Sequence, residues 1–171
     1  MLTLSAGRAV QLSPPDLPRL KALCLACSGF YELIEGQPAS EGTAAEILGP
    51  LEPEYAHGTK HVWGVDTDEG LIAVVELLQG HPSVHDWYIG LLLVAPEQRR
   101  KGMGTQLCHA ILDWMRSRGA TTVRLVVHEQ NRIARTFWER QGFAAERQVV
   151  KRSGRLEGPV AIFARSLEGA G

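Results

Sequence analysis

Residues 91–105 constrain this chain more than any other stretch. They open with Leu91, Leu92, Leu93 and Val94, a continuous apolar run suited to a strand buried on both faces. Pro96 lacks a backbone donor and closes that strand. Arg99, Arg100 and Lys101 follow, then Gly102, Met103, Gly104 and Thr105. An amphipathic helical pattern runs from Thr105 to Arg118. Leu107, Ile111, Trp114 and Met115 share one face, and Gly119 stands where a left-handed cap is expected. Strand, glycine loop and helix start together describe an anion cradle. The first helical N–H groups have no partner within the helix and carry the positive end of its dipole. Gly102 and Gly104 let a ligand approach the backbone closely. Such a place suits phosphate or pyrophosphate. The plainer alternative is a basic turn that only caps a helix.

Two nucleotide motifs are excluded. No G-x-x-x-x-G-K-[ST] run exists, and G-x-G-x-x-G would need its third glycine where Leu107 stands. What remains is Arg99-x-x-Gly102-x-Gly104 directly after a strand.

The length of 171 residues suits one domain, residues 1–171, with a real core. No apolar run approaches the ~20 residues of a membrane span, so no membrane partner is expected. The segment Met1 to Gly7 lacks the charged start and long apolar middle of a secretion signal, which makes the cytoplasm the default location. Cys24, Cys27 and Cys108 are an odd set. Cys24 and Cys27 fall within an apolar helical pattern and read as buried core thiols. The six histidines show no metal-ligand spacing, so no metal is expected.

Charge is segregated. Residues 1–96 hold four Lys/Arg against twelve Asp/Glu, a net charge of −8; residues 97–155 hold thirteen against five, a net charge of +8. No Lys or Arg occurs between Lys21 and Lys60, where Glu32, Glu35, Glu41, Glu46, Glu52 and Glu54 lie. A basic half suits a polyanionic ligand and an acidic half a cationic one. The same pattern also fits solvated surface. The basic residues lack an aromatic platform, so nucleic acid is not expected as a partner.

A strand at Arg8 to Leu12 precedes a helix from Leu17 to Ser28, stopped at Gly29. A weaker helix spans Thr43 to Leu48 within a partly irregular cover, residues 30–59. Strands follow at Lys60 to Val65, Leu71 to Gln79 and about Val84 to Val94. After the central helix come a strand at Thr122 to Val127 and a helix from Arg132 to Gln141 capped by Asn131. Strands from Phe143 to Arg152 and Pro159 to Ser166 end the fold. Strand, helix, strand around the loop implies a right-handed crossover and a parallel pair.

The loop Arg99-x-x-Gly102-x-Gly104 resembles the acyl-CoA pyrophosphate loop of the GNAT superfamily of N-acetyltransferases. So does the block Leu125-x-Val127-x-x-x-Asn131-x-x-Ala134-x-x-Phe137-Trp138-x-x-x-Gly142-Phe143 resemble a second signature of that superfamily, and the element order agrees over about residues 7 to 167. The resemblance implies an α/β (α+β) fold: a mixed, mostly antiparallel twisted sheet with helices on both faces. Its central parallel pair splays to admit acetyl-CoA. The pantetheine arm would pair with backbone near Leu92, Leu93 and Val94. The pyrophosphate would rest on N–H groups of Arg100, Lys101, Gly102, Met103, Gly104 and Thr105. Arg99, Arg100 or Lys101 would answer the phosphate charge. Asn131 would line the pantetheine slot or act only as a cap. Arg135 and Arg140 are candidates for the nucleotide phosphates, against a plain solvated face.

The implied activity is direct acetyl transfer from acetyl-CoA to a small or peptidic amine, cationic by the acidic cover. The family's usual catalytic positions are altered. Trp138 stands where many relatives have a Tyr acid. Val126 and Tyr88 stand where two branches carry a Glu base. Asp86 and Tyr88, alternating onto one strand face, and Glu76 on the neighbouring strand are the remaining catalytic candidates. An acyl-CoA-binding sensor without efficient chemistry is the alternative. Relatives also suggest a homodimer.

Overall fold

The structure, a computed structural model, describes residue 4 and residues 7–168. The expectation about residues 1–7 falls almost wholly outside these. A seven-stranded sheet with order β1-β2-β3-β4-β5-β7-β6 forms the frame. Its strands are β1 (Arg8–Gln11), β2 (Thr59–Thr67), β3 (Gly70–Gln79), β4 (Asp86–Val94), β5 (Thr122–His128), β6 (Ala144–Ser153) and β7 (Leu156–Ser166). Neighbouring pairs are antiparallel except β4 and β5, which run parallel. The helices are α1 (Leu17–Ala26), α2 (Ser28–Glu35), α3 (Thr43–Leu48), α4 (Met103–Ser117) and α5 (Arg132–Arg140).

The parallel pair is the product of α4. This helix buries Leu107, Cys108, Ile111, Leu112, Trp114 and Met115, the i, i+4, i+8 stripe of an amphipathic helix. The Trp114 indole meets Trp87 edge-to-face at 5.5 Å and Trp63 at 5.6 Å, joining α4 to β4 and β2. Trp87 is fully buried. Gly119 ends the segment with φ 81°, as the sequence predicts. The helix starts two residues earlier than expected, with Gly102 in its capping position at φ 82°.

The first helix differs from expectation. It does not end at Gly29. The chain breaks at Cys27, and a second helix, α2, runs on to Glu35. Gly29 is tolerated inside α2, where an added Cβ would meet nothing within 4 Å. The glycine that stops the helix is Gly36, left-handed at φ 72°. Phe30 and Ile34, four apart, line the cavity described below, and Tyr31 is buried between them. Residues 30–59 are therefore less irregular than their Gly and Pro content suggests. Cys24 and Cys27 are buried free thiols, as expected, and so is Cys108.

An ion cluster fixes the N-terminal ends of the central strands. Arg124 on β5 donates to Asp86 at 2.9 Å and to Glu146 at 3.0 Å and 3.1 Å. Burial raises the Asp86 pKa, but hydrogen bonds from Ser83 and Arg124 outweigh it and hold the carboxyl below its usual range. The Arg124 hydrogen bonds likewise lower that of Glu146. Carboxylates depressed in this way contribute stability above their unfolded pKa, about 4, and lose it as pH falls through the lower native value. Arg124→Met should therefore lower Tm at pH 7, and the gap from wild type should narrow as pH drops below about 4. Thermal unfolding followed by circular dichroism across pH 3–8 checks this.

Candidate active site

The parallel strands part company halfway. β4 and β5 pair only from Asp86–Thr122 to Ile89–Leu125. Beyond that, β5 continues to His128 against β7, and β4 continues to Val94 against β3. The splay expected from the resemblance is present, and its local cause is visible. Glu76 faces Leu91 while Leu77 faces Ile89, so Gly90 is an extra residue in β4. A bulge of this kind bends its strand and breaks the ladder. A Cβ at Gly90 would stand 3.2 Å from Glu76 Oε1.

A cavity of about 730 Å³ opens at this gap. Leu91, Leu92, Val126, Val127, Asn131 and Trp138 line it from the parted strands and α5. Across from them α2, α3 and the segment after α3 contribute Glu35, Glu46 and Glu52. None of these three carboxylates has an ion pair among the described residues. Burial and the nearby Glu46 raise the pKa of Glu35.

The loop at the mouth of α4 has the form of an anion cradle. Arg100 is left-handed at φ 61°, and Gly102 at φ 82°. A non-glycine residue in that region carries strain on the order of 1 kcal/mol. Among the described residues no side chain caps the start of α4, so the N–H groups of Met103, Gly104 and Thr105 stay open. Arg100 and Lys101 are exposed beside them.

Several predicted positions make contacts within the protein. Arg99 folds back: its Nε donates to the Val94 carbonyl at 3.0 Å and its Nη2 lies 3.5 Å from Cys27 Sγ. It finishes the end of β4. The Val94 carbonyl is thereby occupied, while Leu93 and Met103 are buried in the core. Gly104 packs close to α5, where an added Cβ would lie 3.3 Å from the Phe137 ring. Thr105 accepts from Gln141 at 3.4 Å. Asn131 caps α5 by accepting from the Ala134 N–H at 3.1 Å, and it also lines the cavity. Arg135 pairs with Glu139 at 3.3 Å and lies over the Phe163 ring. Arg140 is exposed.

The three catalytic candidates separate. Glu76 and Tyr88 line the cavity. Asp86 does not; it belongs to the Arg124 cluster, because it precedes the bulge at the closed end of the strand pair. Burial raises the Glu76 pKa, opposed in part by Lys60, whose Nζ lies 3.7 Å away. Residues not anticipated also reach this space. Tyr55 meets the His81 ring edge-to-face at 4.8 Å, and His81 lies 5.9 Å from the Tyr88 ring. A hydrogen bond to Glu54 and burial push the Tyr55 phenol up to about 12. One missed feature had a sequence signal: Gly90 is an isolated glycine inside a strand pattern, the mark of a bulge. Lys60, Tyr55 and His81 had none, since they join the site only through tertiary contacts.

Sequence comparison places this fold, with its parted strands and open helix start, in a family. Residues 29–143 match the acetyltransferase (GNAT) family, and the chain belongs to that family. It is similar to N-alpha-acetyltransferase 30 of Schizosaccharomyces pombe, with 36% identity over 64 residues, 37% of this chain and 43% of that protein. It is also similar to the uncharacterized N-acetyltransferase YobR of Bacillus subtilis, with 37% identity over 109 residues, 57% of this chain and 42% of that protein. The matched regions thus span less than half of either relative. Among solved structures, an acetyltransferase from Thermus thermophilus has the same fold, with a TM-score of 0.74, 18% identity, and coverage of 94% of this chain and 96% of that one. The PaiA N-acetyltransferase from Thermoplasma acidophilum, solved with coenzyme A, gives a TM-score of 0.67, 19% identity, and coverage of 93% and 98%.

Replacing Arg100 and Lys101 together by Glu should raise the Kd for coenzyme A at least about tenfold, since a charge-assisted hydrogen bond contributes roughly 1.5–3 kcal/mol. Calorimetry measures the affinity, and an unchanged Tm would show that the fold is kept. Unaltered affinity would move the ligand away from this loop.

Proposed function

We propose that the chain transfers an acetyl group from acetyl-CoA to a cationic amine by direct attack within a ternary complex. The observation that carries this reading is the position of Glu76, a half-buried carboxylate over the bulge where β4 and β5 part. Acetyl-CoA supplies the thioester. The residues for it are the open N–H groups at the start of α4, Arg100 and Lys101, and the β4 edge left without a strand partner after Ile89. An N–H near Leu92 to Val94 would stabilise the charge gathering on the thioester oxygen.

The acceptor side needs a base. A lysine-like amine has a pKa of ~10.4, so roughly one in a few thousand is neutral at pH 7, a deficit of about 4–5 kcal/mol. Glu76 accepts that proton directly or through one water. Its raised pKa brings it nearer to working pH than an exposed glutamate. Tyr88 lines the same cavity and is the group for proton donation or relay, since the Trp138 indole has no proton to give at neutral pH. The unpaired carboxylates of Glu35, Glu46 and Glu52 favour a positively charged acceptor. Peptide α-amines belong in the set to be tried, given the similarity to N-alpha-acetyltransferase 30. Their pKa near 7.7–8.0 asks less of the base.

Trp138 also supports a second reading, a module that binds acyl-CoA without turnover. Thiol release from acetyl-CoA over spermidine, a lysine peptide and an α-amine peptide separates the two. Turnover with at least one amine is expected, and binding without thiol release would favour the module. Glu76→Gln should lower kcat/KM by about 10²-fold or more while leaving the Kd for coenzyme A unchanged. The wild-type rate should fall on the acid side as Glu76 protonates, with a midpoint above the ordinary ~4.3.

A further inference from the structure

Lys60 belongs to no motif, yet it occupies a junction. It rises from β2 opposite Leu78, and Glu76 stands two pairs along on the same sheet face, opposite Val62. The Lys60 side chain is only 15% exposed. Its Nζ donates to the Glu46 carbonyl at 3.1 Å and to the Gly49 carbonyl at 3.1 Å, both at the C-terminal end of α3. The Glu46 carbonyl also accepts from the Gly49 N–H at 3.2 Å, so the ammonium adds a second contact at this helix end. The same ammonium lies 3.7 Å from Glu76 Oε2. The other oxygen, Oε1, is the one that overlies Gly90 at the parted strands. The two oxygens of Glu76 therefore have different surroundings: one faces a fixed cation and the other faces the gap.

We propose that Lys60 is a positioning residue for the base: it ties Glu76 Oε2 to the end of α3, so that Oε1 alone is presented to the acceptor amine. This rests on the reading of Glu76 as the base. The tie also joins two parts of the site, since α3 carries Glu46 on the cavity wall. Other ionisable groups share this space. Glu35 and Tyr31 come from α2, Glu46 from α3, Glu52, Tyr55 and His81 from the connecting segments, and Tyr88 from β4. Farther along the cavity stand His128 of β5 and Arg147 and Lys151 of β6. Among the described residues Lys60 is the one cation within ion-pair distance of Glu76. Burial raises the Glu76 pKa and Lys60 lowers it, so removing the cation leaves burial unopposed.

The test reads the Glu76 carboxyl directly, without an acceptor. Side-chain carboxyl ¹³C shifts are followed against pH in wild type, Lys60→Met, Lys60→Gln and Lys60→Arg, with the Glu76 signal assigned by its loss in Glu76→Gln. The midpoint should rise by about one unit or more in Lys60→Met. It should rise likewise in Lys60→Gln, which keeps a donor for α3 but no charge, and stay near wild type in Lys60→Arg. A folded Lys60→Met or Lys60→Gln with an unmoved midpoint overturns the proposal. So does an equal shift in Lys60→Arg. With an amine that is turned over, the acid limb of kcat/KM should move by the same amount. A moved carboxyl midpoint with an unmoved limb would leave Lys60 as the anchor of Glu76 and remove Glu76 as the base.

Discussion

The single extra residue in β4 is the constraint on which the site depends. A parallel pair bonded along its whole length would bury its main-chain groups and leave no space between strands. The bulge at Gly90 ends that pairing after Ile89. It frees an edge of β4, opens the cavity, and places Glu76 against a residue with no side chain. Any other residue at 90 would set its Cβ against the Glu76 carboxylate.

Opening a sheet at one end is stable only when the other end is held. The Arg124 contacts with Asp86 and Glu146 hold it. Trp87, Ile89, Val123 and Leu125 bury the paired half, with Trp114 of α4 packed on Trp87. Closed and open halves of one strand pair thus divide the work between stability and ligand access. Asp86 and Tyr88 point to the same face, but they lie in different surroundings, and only Tyr88 reaches the cavity.

The charge segregation of the chain becomes a division of space. The acidic first half builds the cover, and its glutamates from α2, α3 and the following segment form a cavity wall. The basic second half supplies the loop before α4 and the helix after β5.

The sequence by itself determined the loop, the helix that follows it and the parallel crossover. These depend on residues close together in the chain: an apolar run, a proline, two glycines and a 3.6-residue stripe. Asn131 was readable as a cap for the same reason, since its hydrogen bond reaches only to Ala134. Tertiary structure alone decided which charges are free. Arg99 turned back to the Val94 carbonyl, Asp86 was taken by Arg124, and Lys60 came to Glu76 across the sheet. Gly29 stayed helical while Gly36 ended α2, because packing of Tyr31 and its neighbours outweighed the small cost of one glycine in a helix. Local backbone preference is written residue by residue; the partner of a long charged side chain depends on which elements fold against it, and spacing along the chain does not encode that.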